Sequence, residues 1–414
     1  MSESNQHLRI PHTLTAWPWP RTLNPYYQTV KAESSAWLES FKAFDPKAQA
    51  GFNSCDFNLL ASLAYPLASK EHLRTGCDLM NLFFVIDEYT DIEDEVHAAM
   101  VASVTMDALR NPFKPRPRGE IIIGEIARQF WARTVPTITE ASHRRFIETF
   151  DTYLQSVVVQ ARDRSKQHIR SIQDYLHMRR DNIGAKPSFA ILELSLDLPD
   201  YVMSHPSIQT ATVTAIDMLI IGNDLCSFRN EHARGDDTHN ILTIARHEFG
   251  QGLGHAVNWI ESYNKSLRRS FLSAIERVPS WGEEIDTQVA EYLYGLANWV
   301  RANDCWSFES HRYFGKHGRE IQVHRVVDLA CGHPECVQDT DNEVEKPATK
   351  GLLYEVEKKT YVGPLQVNTK DPIAFRSDFP LSARPKDITS TPTRLTCVAL
   401  LCTLSTFIGW LVKL

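Results

Sequence analysis

Glycine is scarce. There are 18 in 414 residues, about 4% against a typical ~7%. A fold built on tight turns and hairpins needs more, so the chain leans towards helices. An excess of positive charge is also missing. Lys and Arg total 44 against 51 for Asp and Glu, a formal net charge of −7. That balance argues against a protein that coats nucleic acid. A disulfide framework is not legible either, because Cys55, Cys77, Cys226 and Cys305 are widely spaced. Met1 to Pro11 is mostly polar and does not read as a signal peptide. A reducing, cytosolic setting is the natural expectation. Hydrophobic residues make up 43% and charged residues 23%, which excludes wholesale disorder and fits a large buried core.

One long apolar run occurs, Leu395 to Val412 between Arg394 and Lys413. Eighteen uncharged residues reach the length needed to span a bilayer. The run is apolar all round rather than on one stripe, which favours spanning over lying in the interface. Before it, residues 331–394 hold Pro334, Pro347, Pro364, Pro372, Pro380, Pro385 and Pro392. Such a stretch behaves as a semi-extended tether. The expected organisation is a folded domain over 1–330, a Pro-rich linker over 331–394 and a transmembrane segment over 395–412. The catalytic part would then face the cytosol, anchored to a membrane by its C-terminus. Cys331 to Cys336 forms a single short Cys/His cluster without a second ligand pair, too little for a structural zinc site.

Within 1–330 the apolar spacing is helical. Leu59, Leu60, Leu63 and Leu67 recur at helical intervals, as do Ile216, Leu219, Ile220 and Ile221, and Leu293, Leu296 and Val300. Short breakers such as Asn111-Pro112, Leu198-Pro199 and Val278-Pro279 separate the segments. About ten helices and no convincing strand are expected. That is an all-α bundle, too large for four helices and roomy enough for a central cavity.

Three polar constellations interrupt this apolar pattern. In the first, Phe83-Phe84-Val85-Ile86 runs into Asp87-Glu88-Tyr89-Thr90-Asp91. Asp87 and Asp91 share a helix face with each other and with Phe83. A carboxylate on a core stripe is costly without a cation or hydrogen bonds beside it. Alone, the cluster reads equally well as a solvated acidic helix end. In the second, Asn223, Ser227 and Glu231 stand at i, i+4 and i+8 after an apolar helix. They offer an amide oxygen, a hydroxyl and a carboxylate, hard donors suited to Mg²⁺. The third is basic: Arg179-Arg180 before Gly184 and Lys186, and Arg312-Tyr313 after Trp299, Trp306 and Phe308. Arg forks match phosphate oxygens, and a Tyr hydroxyl can donate beside them. Each arginine alone is an ordinary surface residue. Together the three constellations suit a diphosphate carried on an apolar chain.

The pattern resembles class I terpene synthases, specifically basidiomycete fungal sesquiterpene synthases of the protoilludene synthase-like group. Asp87-Glu88-Tyr89-Thr90-Asp91 looks like their D-E-x-x-D motif, which is weak by itself. Asn223 to Glu231 matches N-D-x-x-S-x-x-x-E without a mismatch and is more specific. Arg180 lies where the family places its diphosphate-sensing arginine, and Arg312-Tyr313 matches the C-terminal Arg-Tyr pair. Trp17-Pro18-Trp19-Pro20 looks like the N-terminal segment of the group. The resemblance covers about residues 8–325. Asn230 departs from members that carry a basic residue there, and the linker and apolar tail have no counterpart in most members.

What the resemblance implies is a class I terpenoid synthase helical bundle with a central active-site cavity. Three Mg²⁺ ions would sit between the two acidic helices, with Asp87, Asp91, Asn223, Ser227 and Glu231 as metal residues. Arg180, Arg312 and Tyr313 would bind the substrate diphosphate, and Gly184 would belong to the effector loop. Phe83, Phe84 and Trp306 would line the pocket and stabilise cations, although core packing explains such aromatics equally well. The substrate would be farnesyl diphosphate, cyclised to a sesquiterpene through closure of carbon 1 onto carbon 11 and a humulyl cation. No nucleic acid partner is expected, and neither the product nor the oligomeric state is encoded in a motif. Two other classes fit parts of the pattern. A chain-elongating prenyl transferase shares the fold but should carry a second aspartate-rich motif at 223–231. A non-catalytic membrane-tethered helical protein leaves both acidic stripes without a purpose.

Overall fold

The computed structural model describes residues 7–90 and 94–329, all within one compact unit. Asp91, the linker over 331–394, the Cys331 to Cys336 cluster and the apolar run over 395–412 lie outside the described residues. The chain begins with strand β1 (His7–Arg9). Helices α1 (Tyr27–Ser40), α2 (Pro46–Ser54), α3 (Phe57–Ala64) and α4 (Lys70–Thr90) follow. Next come α5 (Glu95–Arg110), α6 (Ile122–Thr134), α7 (Glu140–Ser165), α8 (Ile172–Asn182), α9 (Ala185–Leu192) and α10 (Asp200–Met203). The last third holds α11 (Pro206–Arg234), α12 (Ile241–Phe249), α13 (Leu253–Glu276), α14 (Glu283–Glu309) and α15 (Gly318–His324), then strand β2 (Val326–Asp328).

The fold is all-α, as the apolar periodicity predicts. The number of helices exceeds the sequence expectation because elements such as α10, with 4 residues, and α15, with 7, are too short to show a period. The two strands were not expected at all. Each has three residues, and they pair antiparallel, Leu8 opposite Val327, so the two ends of the described chain are held together. Between β1 and α1 the chain lies across α13 and α14. Trp17 Nε1 donates to the carbonyl of Ala297 at 3.2 Å, and Arg301 Nε donates to that of Trp19 at 2.8 Å. Trp17 and Trp19 cluster on Phe271 with ring centroids 5.1 and 5.8 Å away.

Two helices carry the site. In α4, Leu79, Leu82, Val85 and Ile86 are buried, which sets the rotation of the helix and leaves Asp87 on the cavity. In α11, Pro206 opens the first turn and Gly235 ends the helix in the left-handed region at φ 70°. Ile216 and Ile220 are wholly buried, each contributing about 1.5–3 kcal/mol. This helix is long and apolar enough to cross a membrane, but 78% of its apolar window is buried inside the protein, so it is the bundle's core helix. A Cβ at Gly222 would stand 2.8 Å from Asn303 Nδ2 on α14. Glycine there lets α11 and α14 close on each other beside the cavity.

Candidate active site

A cavity among the described residues has a volume of about 550 Å³, within the ~300–1,000 Å³ usual for a small-molecule site. Phe83, Phe84, Asp87, Gly184, Asn223, Ser227, Glu231, Trp306, Arg312 and Tyr313 all border it. The structure therefore brings together ten residues that the sequence singles out from four separate segments. Two of the expected residues are not among them. Asp91 lies outside the described residues, and Arg180 does not face the cavity.

Arg180 instead forks onto Asp217, with Nε to Oδ1 at 2.7 Å and Nη2 to Oδ2 at 2.8 Å. Tyr263 Oη donates to the same carboxylate at 3.1 Å. The expected placement of Arg180 at the cavity is thus corrected: its neighbour Arg179 takes that position. Arg179 Nη2 donates to Asn223 Oδ1 at 2.9 Å and Nη1 to Asn182 Oδ1 at 2.6 Å. Burial opposes the Arg179 charge, but Tyr175, Asp224 and Glu231 offset it and hold the guanidinium above its usual value. A 100° step per residue separates the two arginines on α8. Tyr175, Arg179 and Asn182 stand at i, i+4 and i+7, with Tyr175 and Asn182 both buried. That stripe was present in the sequence and could have chosen Arg179 over Arg180.

Helix α8 stops because Gly184 adopts φ 73° and restarts the chain as the N-cap residue of α9. The break seats Gly184 against the Phe83 ring, where an added Cβ would meet Cζ at 3.3 Å. Phe83 packs edge-on to Tyr153 at 4.9 Å and stacks on Phe150 at 5.4 Å. Phe84 stacks on Phe57 with centroids 3.6 Å apart. Trp306 is 1% exposed and donates from Nε1 to the carbonyls of Cys55 at 2.8 Å and Asp56 at 3.1 Å. These aromatics both pack the core and wall the cavity, so the two readings of them are not exclusive.

Arg312 and Tyr313 join the two acidic helices. Arg312 Nη2 donates to Asp87 Oδ2 on α4 at 3.0 Å, and its guanidinium lies 5.2 Å over the Phe84 ring. Tyr313 Oη accepts from Asn223 Nδ2 on α11 at 2.8 Å. Asn230 Nδ2 donates to the Tyr313 carbonyl at 3.1 Å. Asn230, which stands where some members carry a basic residue, thus holds the backbone of Tyr313.

Around Glu231 the donors are held before any ligand arrives. Burial and then Asp224 push the Glu231 carboxyl up to about 7, against hydrogen bonds from Asn240 and Ser227. Asp224 is buried and accepts from Tyr175 Oη at 2.6 Å and the Ile241 N–H at 2.9 Å. Burial, then Arg179, Arg170 and Arg164, hold His239 well below its ordinary value, so it stands neutral beside the arginines. Tyr175, His239 and Asn240 were missed by sequence reasoning, because their link to the site is tertiary.

A divalent cation fits this donor set. No group of three His, Cys, Asp or Glu side chains with metal-binding placement occurs among the described residues. The α11 stripe is different: an amide, a hydroxyl and one carboxylate line the cavity on successive turns. Hard oxygen donors of this kind suit Mg²⁺ or Mn²⁺ and not a thiolate-preferring metal.

Residues 78–270 match the family described as terpene synthase family 2, C-terminal metal binding. Delta(6)-protoilludene synthase 18 of Postia placenta is 56% identical over 322 residues, covering 78% of this chain and 92% of its own. A Delta(6)-protoilludene synthase of Stereum hirsutum is 57% identical over 77% of this chain and 87% of its own. The chain belongs to the terpene synthase family. Its members are lyases acting on prenyl diphosphates, and this terpene synthase is an enzyme of that kind. Among solved structures, α-eudesmol synthase superposes with a TM-score of 0.64 at 20% identity, covering 71% of this chain and 98% of its own. Germacradien-4-ol synthase from Streptomyces citricolor gives 0.60 at 20% identity, covering 70% and 98%. Those two likenesses speak for the fold.

Proposed function

We propose that this terpene synthase is a sesquiterpene synthase that ionises farnesyl diphosphate with Mg²⁺ and cyclises the cation by 1,11-closure through a humulyl cation to Delta(6)-protoilludene. The observation that carries the reading is the Arg312-Tyr313 pair, which touches Asp87 on one acidic helix and Asn223 on the other beside a cavity that has both charged and aromatic lining residues. Identity above half with Delta(6)-protoilludene synthases over most of the chain supports the product.

When bound, Mg²⁺ would supply Lewis-acid stabilisation of the departing diphosphate, and Asp87, Asn223, Ser227 and Glu231 are the described residues that would hold it. The protein's own cations do the rest at that end. Arg179 and Arg312 present guanidinium forks to the cavity, matched to phosphate oxygens. Arg312 already carries a carboxylate partner in Asp87, so substrate binding exchanges one anionic partner for another. The apolar part of the lining, Leu60, Met80, Leu219 and Trp299 with the aromatics below, is where the hydrocarbon chain would be kept from water, which would quench a cation to an alcohol. Phe83, Phe84 and Trp306 border the cavity, where an aromatic ring can stabilise a passing cation by about 0.5–2 kcal/mol.

The test is incubation of the purified protein with farnesyl diphosphate and Mg²⁺, read by gas chromatography–mass spectrometry. A tricyclic C15 hydrocarbon is expected. A longer prenyl diphosphate on adding the five-carbon co-substrate would make it a chain-elongating enzyme, and unchanged substrate would make it a binding protein.

Trp306→Phe tests the wall. Alanine would confound it, since truncating a buried Trp costs about 3–5 kcal/mol. Phenylalanine keeps an aromatic face but loses the N–H that ties α14 to the α2–α3 junction. The product mixture should broaden, while disappearance of substrate slows less than about tenfold. An unchanged mixture with only a lowered Tm would assign Trp306 to packing alone.

The apolar run over 395–412 is proposed to anchor the enzyme in a membrane with the catalytic domain in the cytosol. A 64-residue linker at about 5–6 Å × √n would let the domain reach about 40–50 Å from the bilayer. The full-length protein should pellet with membranes and resist alkaline carbonate, and a truncation after Arg394 should stay in the supernatant with full activity. Recovery of both in the supernatant would remove the anchor.

A further inference from the structure

Asn240 is fully buried, at 0% exposure, and precedes the first residue of α12. Its Oδ1 accepts the Leu242 N–H at 3.0 Å, which is the ordinary duty of an N-cap residue. The other end of the amide does something a cap does not need. Nδ2 donates to Glu231 Oε2 at 2.8 Å and to the Asp224 carbonyl at 2.9 Å. Ser227 Oγ lies 3.4 Å from the same nitrogen. The amide cannot be flipped, because a backbone N–H faces its oxygen while a carboxylate and a carbonyl face its nitrogen.

We propose that Asn240 is a positioning residue for the cation site, its side-chain amide aiming the Glu231 carboxylate and the Ser227 hydroxyl of α11 from the start of α12. The inference rests on the functional reading above, since it gives a purpose to Glu231 and Ser227. Ser, Thr or Asp would cap α12 equally well through a side-chain oxygen. Asparagine adds two N–H donors, and both are spent on α11. A Glu side chain has three rotatable bonds, and one strong hydrogen bond to Oε2 removes most of that freedom before a cation arrives. The register of α12 against α11 is fixed independently by the Ile241 N–H on Asp224 Oδ2, so the amide is delivered to Glu231 by a rigid junction rather than by a loose loop.

The test uses Asn240→Ser in the full-length enzyme, which keeps the cap and removes the amide donor. Mn²⁺ binding in the presence of inorganic diphosphate is followed by electron paramagnetic resonance. Affinity should fall about 10–100-fold, the usual effect of losing a group that orients a metal ligand. The Mg²⁺ concentration for half-maximal turnover should rise by a similar factor, with the Tm measured without metal little changed. A purely structural role predicts the reverse: a lowered metal-free Tm with unchanged Mn²⁺ affinity, which would overturn the proposal. Should the serine variant fail to fold, Asn240→Thr carries the test. It keeps a side-chain oxygen for the cap and offers Glu231 no amide donor, so Mn²⁺ affinity should fall by a similar factor. Unaltered Mn²⁺ binding there overturns the proposal as well. Wild-type enzyme that binds Mn²⁺ alongside an unaffected variant sinks this inference alone, whereas wild-type enzyme that binds none sinks the functional reading with it.

Discussion

Glu231→Ala is expected to lower turnover of farnesyl diphosphate by at least ~10³-fold, about 4 kcal/mol of transition-state stabilisation. Glu231 supplies the only carboxylate of the α11 stripe, and the amide and hydroxyl beside it are poor cation ligands without that charge. The loss should appear in kcat and kcat/KM together, because the charge on the leaving group develops only as the carbon–oxygen bond breaks. The fold should survive. Burial lifts the carboxyl from its ordinary 4.5 to about 7, so the metal-free folded state binds more protons there than the unfolded state. Its contribution to stability therefore falls as pH rises from about 4.5 to 7. The variant lacks that penalty, so its metal-free Tm should match or exceed that of the wild type above pH 7. Near-normal kcat in Glu231→Ala, measured with saturating Mg²⁺, would refute the assignment of this stripe.

The second large effect separates two neighbouring arginines. Arg179→Met should reduce turnover about 10²–10³-fold, the usual result of removing one donor aimed at developing charge. Asp224 loses its ion pair with Arg179 but keeps Tyr175 and the Ile241 N–H, so kcat is compared on the folded protein. Arg180→Met should behave in the opposite way. It leaves the buried Asp217 with Tyr263 alone and should cost about 3 kcal/mol of stability, the low end for a broken buried pair because Arg180 is partly exposed. Its kcat on folded protein should stay within a few-fold of wild type. Turnover and thermal unfolding measured side by side decide it; a dead but stable Arg180→Met enzyme would restore the arginine that sequence spacing favours.

That contrast marks where sequence reading reaches its limit. Spacing within one helix was enough to bring Asn223, Ser227 and Glu231 onto one stripe, because the 3.6-residue repeat is a local property. It was enough to place Asp87 beneath Phe83 for the same reason. The same rule could have separated Arg179 from Arg180, since Tyr175 and Asn182 mark the inward face of α8. Short elements escaped it: β1, β2 and α15 carry too few residues to show any period.

The sequence by itself determined the all-α class, the two acidic stripes and the chemistry their donors can perform, since each follows from residue type and helical repeat. The tertiary structure alone decided that Arg312 and Tyr313 clasp α4 to α11 and that Asn240 reaches Glu231 across a helix junction. Those relations depend on how distant segments pack. A contact between residues 90 or 225 positions apart is set by the packing of the whole bundle, and no local pattern in the chain records it.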